Sequence, residues 1–438
     1  MNIQIFSAII ITSLIVIYLI KKHDIKNFIS GDLYCYCLVL MLVGILNYPT
    51  MIQYALRTLA LAVSWLVIIF KTRGKISLNK KMFGARIIVP FILCAYISAI
   101  FSSNIIESLV KVTEVVTDYV LLCQIYKYEG HGNFVIKTYK ILYYVCLILL
   151  IITAFGFVLV PSVFANTGYS ASNSLLGIRI GNGIIGANTA SAFAVVCLTW
   201  VIFIKEKVDF NTFLVVAVCA YIMLFSQSRA SLIMIPIMIL LRLFKSNSKQ
   251  YLFYIFLVIV GIGAVFYYKD LLLQYILRGQ TSEQLQGMSG RVNMWKIALD
   301  YFHMRPILGY VYGVGGSYVS QYLPGAFKGI QHMHNGFVET LVDTGIIGLS
   351  LLMLQVLYYI GMVIHNTLTL RVKKNMIDLL LLAYFIIRSI TSLGFGNWHS
   401  IELILWYYML LSIRRGKSIQ IMLSRCFILD REIQMEDV

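Results

Sequence analysis

The sequence predicts an all-α polytopic membrane protein with about 12–13 transmembrane helices and one long outer loop between the tenth and eleventh spans. Three observations carry that prediction. The 438 residues are 60% hydrophobic and 13% charged, whereas soluble domains run near half apolar and a quarter charged. Apolar runs long enough to cross roughly 30 Å of hydrocarbon recur from end to end. Lysines and arginines gather in short clusters between those runs, as signals of membrane orientation do. Helices satisfy every backbone group inside lipid, and the runs are too long and continuous for barrel strands. The chain reads as a single membrane domain over 1–438.

Candidate spans fall at 3–20, 33–49, 53–70, 86–103, 107–126, 138–160, 185–204, 210–225, 229–244, 251–268, 341–364, 376–393 and 399–413. The first, Ile3 to Ile20, has no basic flank before it and no small-residue cleavage site after it, and is expected to be a retained span. Asn47-Tyr48-Pro49 makes either a kink or a turn between the second and third. Basic clusters at 21–26, 71–86, 127–140, 205–207, 242–249, 371–374 and 414–431 hold 25 of the 36 Lys and Arg residues. They fall on alternate connections, which places those connections and the C-terminus in the cytoplasm and the N-terminus outside. The formal net charge of +17 is therefore a topology signal, and no nucleic-acid partner is expected. The eight cysteines lie in spans or in the basic tail, so no disulfide framework is expected in the loop, and no pair has zinc-finger spacing. No internal repeat or low-complexity tract is present.

The loop 269–333 is the one sizeable water-facing stretch besides 161–184, and loops of that length are usually functional. Val292, Trp295, Ala298, Leu299 and Phe302 recur at helical spacing, which predicts an amphipathic helix over Arg291 to Phe302 that lies at the interface and ends at Pro306. A glycine-rich bend, Gly309 to Gly316, follows, where backbone passes close to a partner.

Eleven basic residues lie where orientation does not need them, among them Arg179, Arg229, Arg291 and Arg388. Arg229 follows Ser226-Gln227-Ser228 at the expected outer mouth of a turn. An arginine there is expensive facing lipid, so it faces a cavity or snorkels as an anchor. Arg291 opens the loop helix and is either a solvated loop charge or, with Arg229, part of a planar fork for phosphate oxygens. A pyrophosphate leaving group needs such a fork, because the charge building on it must be neutralised as the bond breaks. His334 titrates near neutral pH and can accept a proton from a sugar hydroxyl. Asn335 is placed to cap the helix that follows, and Gly345 and Gly348 interrupt that helix. His332 and His303 read as solvated neighbours. His332-X-His334 hints at a metal, but no third well-spaced ligand appears outside, so neither metal nor cofactor is expected. Arg388, His399 and Glu402 form a second outer set, lining an acceptor groove or anchoring the interface, and Arg179 is a further candidate for the cavity. Lys111, Glu114 and Asp118 share one helix face, as a functional site or as a self-neutralising ion cluster.

Three segments together resemble the O-antigen polymerase and ligase family of bacterial envelope glycosyltransferases: SQSRASLIMIPI (226–237), SGRVNMWKIALDYFHMRPILGYVYGVG (289–315) and HMHNGFVETLVDTGIIGL (332–349). The likeness covers roughly 177–360 in order and spacing, which marks that stretch as the catalytic region. It implies that Arg229 and Arg291 bind the pyrophosphate of an undecaprenyl-linked glycan and that His334 activates a saccharide acceptor. It also implies metal-independent, inverting transfer on the outer face of the plasma membrane, with a chain-length regulator and a flippase as partners. At Ala187-Asn188-Thr189 the chain departs from the Asn-Pro-Asn that relatives often carry. Polymerase is the favoured reading, with ligation to lipid A-core as the alternative. Two rivals are a lipid-linked oligosaccharide transporter, suggested by the Lys111–Glu114–Asp118 face, and a non-catalytic partner in envelope assembly.

Overall fold

The computed structural model describes residues 33–44, 50–72, 83–102, 104–166, 178–181, 185–204, 210–245, 259, 267–277, 291–310, 312–313, 315–320, 332–370, 375–392, 395 and 400–423. The expected first span, 3–20, and nearly all of the expected tenth, 251–268, lie outside the described residues. In chain order the elements are α1 (Leu33–Gly44), α2 (Thr50–Thr72), α3 (Phe83–Ile100), α4 (Ile105–Leu159), α5 (Pro161–Phe164), β1 (Ala165–Asn166) and β2 (Arg179–Ile180). There follow α6 (Ala187–Phe203), α7 (Phe210–Ser226), α8 (Arg229–Lys245), α9 (Lys269–Leu277) and α10 (Arg291–Met304). The last are α11 (Gly315–Ser320), α12 (Gly336–Leu370), α13 (Met376–Thr391) and α14 (Ile401–Ser412).

The structure corrects the expected architecture of about 12–13 transmembrane helices. Among the described residues, 3 helices are long and apolar enough to cross a membrane: Ala55–Thr72 within α2, then α4 and α12. Other apolar helices are shorter than the roughly 20 residues a span needs: α1 and α14 have 12 each, α6 and α7 have 17 each. Hydropathy marks where a chain is apolar, not where its helices end. The run 399–413, for example, is helical only from Ile401, where the Ser400 hydroxyl accepts a 3.1 Å hydrogen bond from Leu403 N, to Ser412. The long loop expected between a tenth and an eleventh span is corrected too, because 269–333 contains α9, α10 and α11. The runs 107–126 and 138–160 belong to the 55-residue α4, interrupted at Gly130 (φ 72°, ψ 173°).

The chain divides into two compact units, Met1–Val63 with Ile136–Gly279 and Ser64–Val135 with Gln280–Val438. In the first, α6 is buried almost all round, as a helix apolar on every side must be. Both α7 and α8 pack on it. Tyr139 and Tyr143, from the later part of α4, stack on Trp200 with ring centroids 5.4 and 5.3 Å apart. The Ser231 hydroxyl donates to Ser191 Oγ at 2.7 Å, joining α8 to α6. Beside α7 lies a short antiparallel ribbon in which Ala165 faces Ile180 and Asn166 faces Arg179.

In the second unit α12 packs against α3, α10, α11 and α13. Every residue of α14 is buried, and α3 approaches it so closely that a Cβ on Gly84 would overlap the Leu410 carbonyl oxygen. The distinctive feature is an interlock of backbone with backbone. At Gly345 (φ 66°, ψ −164°) the helical path of α12 breaks, and the turn after α10 enters the break. Tyr310 N donates to Val342 O at 2.8 Å, and Ile346 N to Pro306 O at 2.8 Å. Gly309 (φ 68°) meets Gly345 here, and a Cβ on either would overlap the other's strand: at Gly309 against Val342 O and Asp343 C, at Gly345 against Ile307 O. Only glycine accepts such a φ without strain and leaves room for so close an approach.

Gly345→Ala therefore combines backbone strain with overlap, and should destabilise the protein by about 2 kcal/mol or more. Gly130 shares the unusual φ, but a Cβ added there would meet nothing within 4 Å, so Gly130→Ala should lose only the backbone strain and cost less than Gly345→Ala. Thermal unfolding of the two purified variants in detergent measures the difference; equal losses would mean that the interlock contributes nothing.

Candidate functional site

The chain entering α12 is held at several points. Asn335 Oδ1 accepts hydrogen bonds from Phe337 N at 3.0 Å and Val338 N at 3.1 Å, so it caps the helix and satisfies two of its free donors. Trp295, from α10, donates its indole N–H to Met333 O at 2.9 Å. Glu339, one turn into α12, accepts from Met333 N. Beneath them, Met294, Ala298, Tyr310, Val319, Met333 and Val342 form one apolar cluster. These restraints hold His334 at φ 53°, in the left-handed region. Few non-glycine residues adopt it, Asn, Asp and His more readily than most.

The His332 and His334 rings meet edge to face with centroids 4.3 Å apart. Both rings are partly buried, and His334 Nδ1 has no hydrogen-bond partner among the described residues. Burial, with Arg388 and Arg291 beside it, pushes the His332 ring down to about 4. Burial also pushes His334 down to about 3, helped by His332, Arg291 and Arg388. Removal from water and nearby positive charge both disfavour the imidazolium, so both rings are neutral at pH 7.

The two arginines are fixed differently. Arg291 is the first residue of α10, and its Nη1 donates to Thr391 O at 2.8 Å. That carbonyl lies at the C-terminal end of α13, where a helix attracts cations. Arg388 is 5% exposed, and its Nη2 lies 3.1 Å from Glu402 Oε1 in a buried ion pair. Glu402 sits in the first turn of α14, the helix end that favours an anion.

Of the residues singled out in the sequence, the second unit thus gathers His334, Asn335, Arg291, Arg388 and Glu402. His332, read there as a solvated neighbour, joins them. Arg179 and Arg229 belong to the first unit, and His399 lies outside the described residues. In the first unit Arg179 Nε donates to Ser226 O at 2.8 Å, and its Nη2 to Asn188 Oδ1 at 3.3 Å. Arg179 therefore braces the turn Ser226-Gln227-Ser228 from which Arg229 starts α8. In that turn Gln227 has φ 51°.

A second polar layer was not singled out as such. Asp343 Oδ2 accepts from Gly313 N at 2.9 Å, Lys111 Nζ donates to Gly313 O at 2.7 Å, and Ser108 Oγ donates to Tyr312 O at 3.0 Å. Glu339 and Asp343 are buried together with Glu114 and Asp118. Two carboxylates four residues apart at the start of an otherwise apolar helix were the available signal. Lys111, Glu114 and Asp118 do share a face, and through Lys111 that face grips the glycine-rich bend. Among the described residues, no group of three or more His, Cys, Asp or Glu side chains is placed to hold a metal ion.

Helices long and apolar enough to cross a bilayer, with two guanidinium groups beside neutral imidazoles at the start of one of them, define a helical membrane protein with a cationic cluster at that helix end. Residues 214–353 match the family model described as O-antigen ligase. The three segments that carried the resemblance all fall inside the matched stretch. No curated protein matches the chain.

Above pH 6.5 both rings are neutral whether the protein is folded or unfolded. Between 6.5 and about 4 the unfolded chain takes up protons that the folded protein refuses, so stability falls as the pH falls. The melting temperature should drop across that window. Replacing His332 and His334 by Asn should flatten the drop, and an unchanged profile would mean that the rings are not buried among cations.

Proposed function

We propose that the protein is a membrane glycosyltransferase that moves an undecaprenyl-pyrophosphate-linked oligosaccharide onto a second saccharide at the outer face of the plasma membrane. What supports this reading is the neutral His334 ring, held beside Arg291 and Arg388 within a stretch that matches the O-antigen ligase family. In the proposed reaction His334 takes the proton from the acceptor hydroxyl. The hydroxyl oxygen attacks the anomeric carbon from the face opposite the leaving group, and the bond from that carbon to the diphosphate oxygen breaks. Undecaprenyl diphosphate departs with the bonding pair, and the anomeric centre inverts.

In this reading Arg229 and Arg291 neutralise the departing diphosphate, as fixed donors do for any developing anion. Binding of the diphosphate would also offset the positive field on His334 and raise its affinity for a proton, so the base strengthens when substrate arrives. Arg388, restrained by Glu402, adds to the field that keeps the free ring neutral. Arg179 and Asn335 position the turn before Arg229 and the start of α12. The reaction draws on no metal or cofactor. We favour repeat-unit polymerisation, in which the acceptor is another lipid-linked unit. The match to the O-antigen ligase family model supports ligation as the second reading, with a lipid A-core as the acceptor in that case.

The direct test is to incubate purified protein with a synthetic polyprenyl-pyrophosphate repeat unit and follow the products by gel or mass spectrometry. A ladder of products is the polymerase outcome, and transfer only to added lipid A-core is the ligase outcome. Arg229→Ala, Arg291→Ala and His334→Asn should each lower transfer about a hundredfold or more, while EDTA should leave it unchanged. Asn is chosen at 334 because it tolerates the left-handed backbone. Transfer at the normal rate in both arginine variants would overturn the diphosphate role, and loss to EDTA with rescue by zinc would overturn the metal-free reaction.

A further inference from the structure

A cavity of about 690 Å³ lies in the second unit, away from the histidines, between the later part of α12, the end of α14 and the start of α3. One wall is apolar, made by Leu357, Met362, Leu410 and Leu411. Gly361 opens that wall, since a Cβ there would meet nothing within 4 Å. The other end is cationic, with Arg414 and Arg415 in the lining and His365 beside them.

The cationic end is a built turn. Arg414 N donates to Lys417 O at 3.3 Å, and Lys417 N to Arg414 O at 3.0 Å, around Gly416 at φ 69°. Asn366, fully buried on α12, clamps that turn: its Nδ2 donates to Arg414 O at 2.9 Å, and its Oδ1 accepts from Gly416 N at 2.9 Å. The Arg414 guanidinium lies over the Tyr126 ring, 5.3 Å from its centroid. Arg415 and Lys417 are exposed, Arg415 at the cavity's rim.

The cavity runs beside α12, a helix long and apolar enough to cross a bilayer. The apolar wall flanks the middle of that helix and the cations lie toward its C-terminal end, and arginines flanking a membrane helix mark its cytoplasmic end. A ligand filling this space needs a hydrocarbon portion running along the helix and an anionic group at its end. A soluble phosphate would satisfy the arginines and leave the apolar wall bare. A zwitterionic lipid would cover the wall and carry a competing cation to the arginines. We propose that this cavity holds one anionic phospholipid of the inner leaflet, an acyl chain against Leu357 and Met362 and the phosphodiester headgroup between Arg414 and Arg415. Basic pockets between helices on the cytoplasmic side have the chemistry for such headgroups.

The test is native mass spectrometry of the full-length protein released from nanodiscs of mixed phosphatidylglycerol and phosphatidylethanolamine. One phosphatidylglycerol should stay bound, and Arg414→Ala with Arg415→Ala should weaken its retention roughly thirtyfold, as expected for two arginines near a headgroup. Gly361→Leu should also evict the lipid by filling the cavity while leaving both arginines in place. Because it removes a helix-interior glycine, it should keep or raise the melting temperature, which separates lost binding from lost folding. Equal retention of phosphatidylethanolamine, full retention in either variant, or competition by millimolar inorganic phosphate as effective as that by phosphatidylglycerol would each overturn the assignment.

Discussion

The second unit depends on the backbone interlock at Gly345. A helix broken in an apolar setting exposes carbonyl and amide groups that need partners, and leaving them bare costs more than most side-chain contacts return. The turn after α10 supplies those partners through Pro306 and Tyr310, while Val342 and Ile346 complete the exchange from the α12 side. That exchange fixes α10 against α12, so that Trp295 reaches Met333 and Arg291 reaches the end of α13.

Two guanidinium groups stand beside the imidazoles. Arg291 donates to the Thr391 carbonyl, which holds its geometry. Arg388 shares its charge with Glu402, which makes its burial tolerable. The two imidazoles respond by staying neutral, so they add acceptor capacity and no further repulsion. The buried carboxylates Glu339 and Asp343 act on the other side of the same chain segment, where they hold backbone amides.

Much of the local structure was legible from periodicity and breakers. The helix expected over Arg291 to Phe302 is α10, Arg291–Met304, and the turn after it begins before Pro306. Gly345 interrupts α12 as read, whereas Gly348 continues as helix, since only the former has a backbone partner to accept the break. The number of membrane crossings was not legible. Hydropathy counts apolar runs, while a span also needs an unbroken helix of sufficient length, and several runs hold only 12 to 17 helical residues. In the site, His334 and Asn335 stood out by spacing and type. The action of Arg388 on both imidazoles did not, because tertiary packing alone brings α13 to the start of α12, and no local pattern encodes it.

The same packing has a bearing on how the protein is made. The second unit is assembled from two separate lengths of chain, and its connecting bonds span great distances in sequence: Ser98 Oγ donates to Asp343 O at 2.8 Å and Ser108 Oγ to Tyr312 O at 3.0 Å. During synthesis α3 and the first part of α4 emerge long before α12 exists. Contacts so far apart form late and slowly. The early helices must therefore wait with their polar faces unmatched, and Lys111, Glu114 and Asp118 on that waiting face would keep it hydrated until the C-terminal half arrives to cover it.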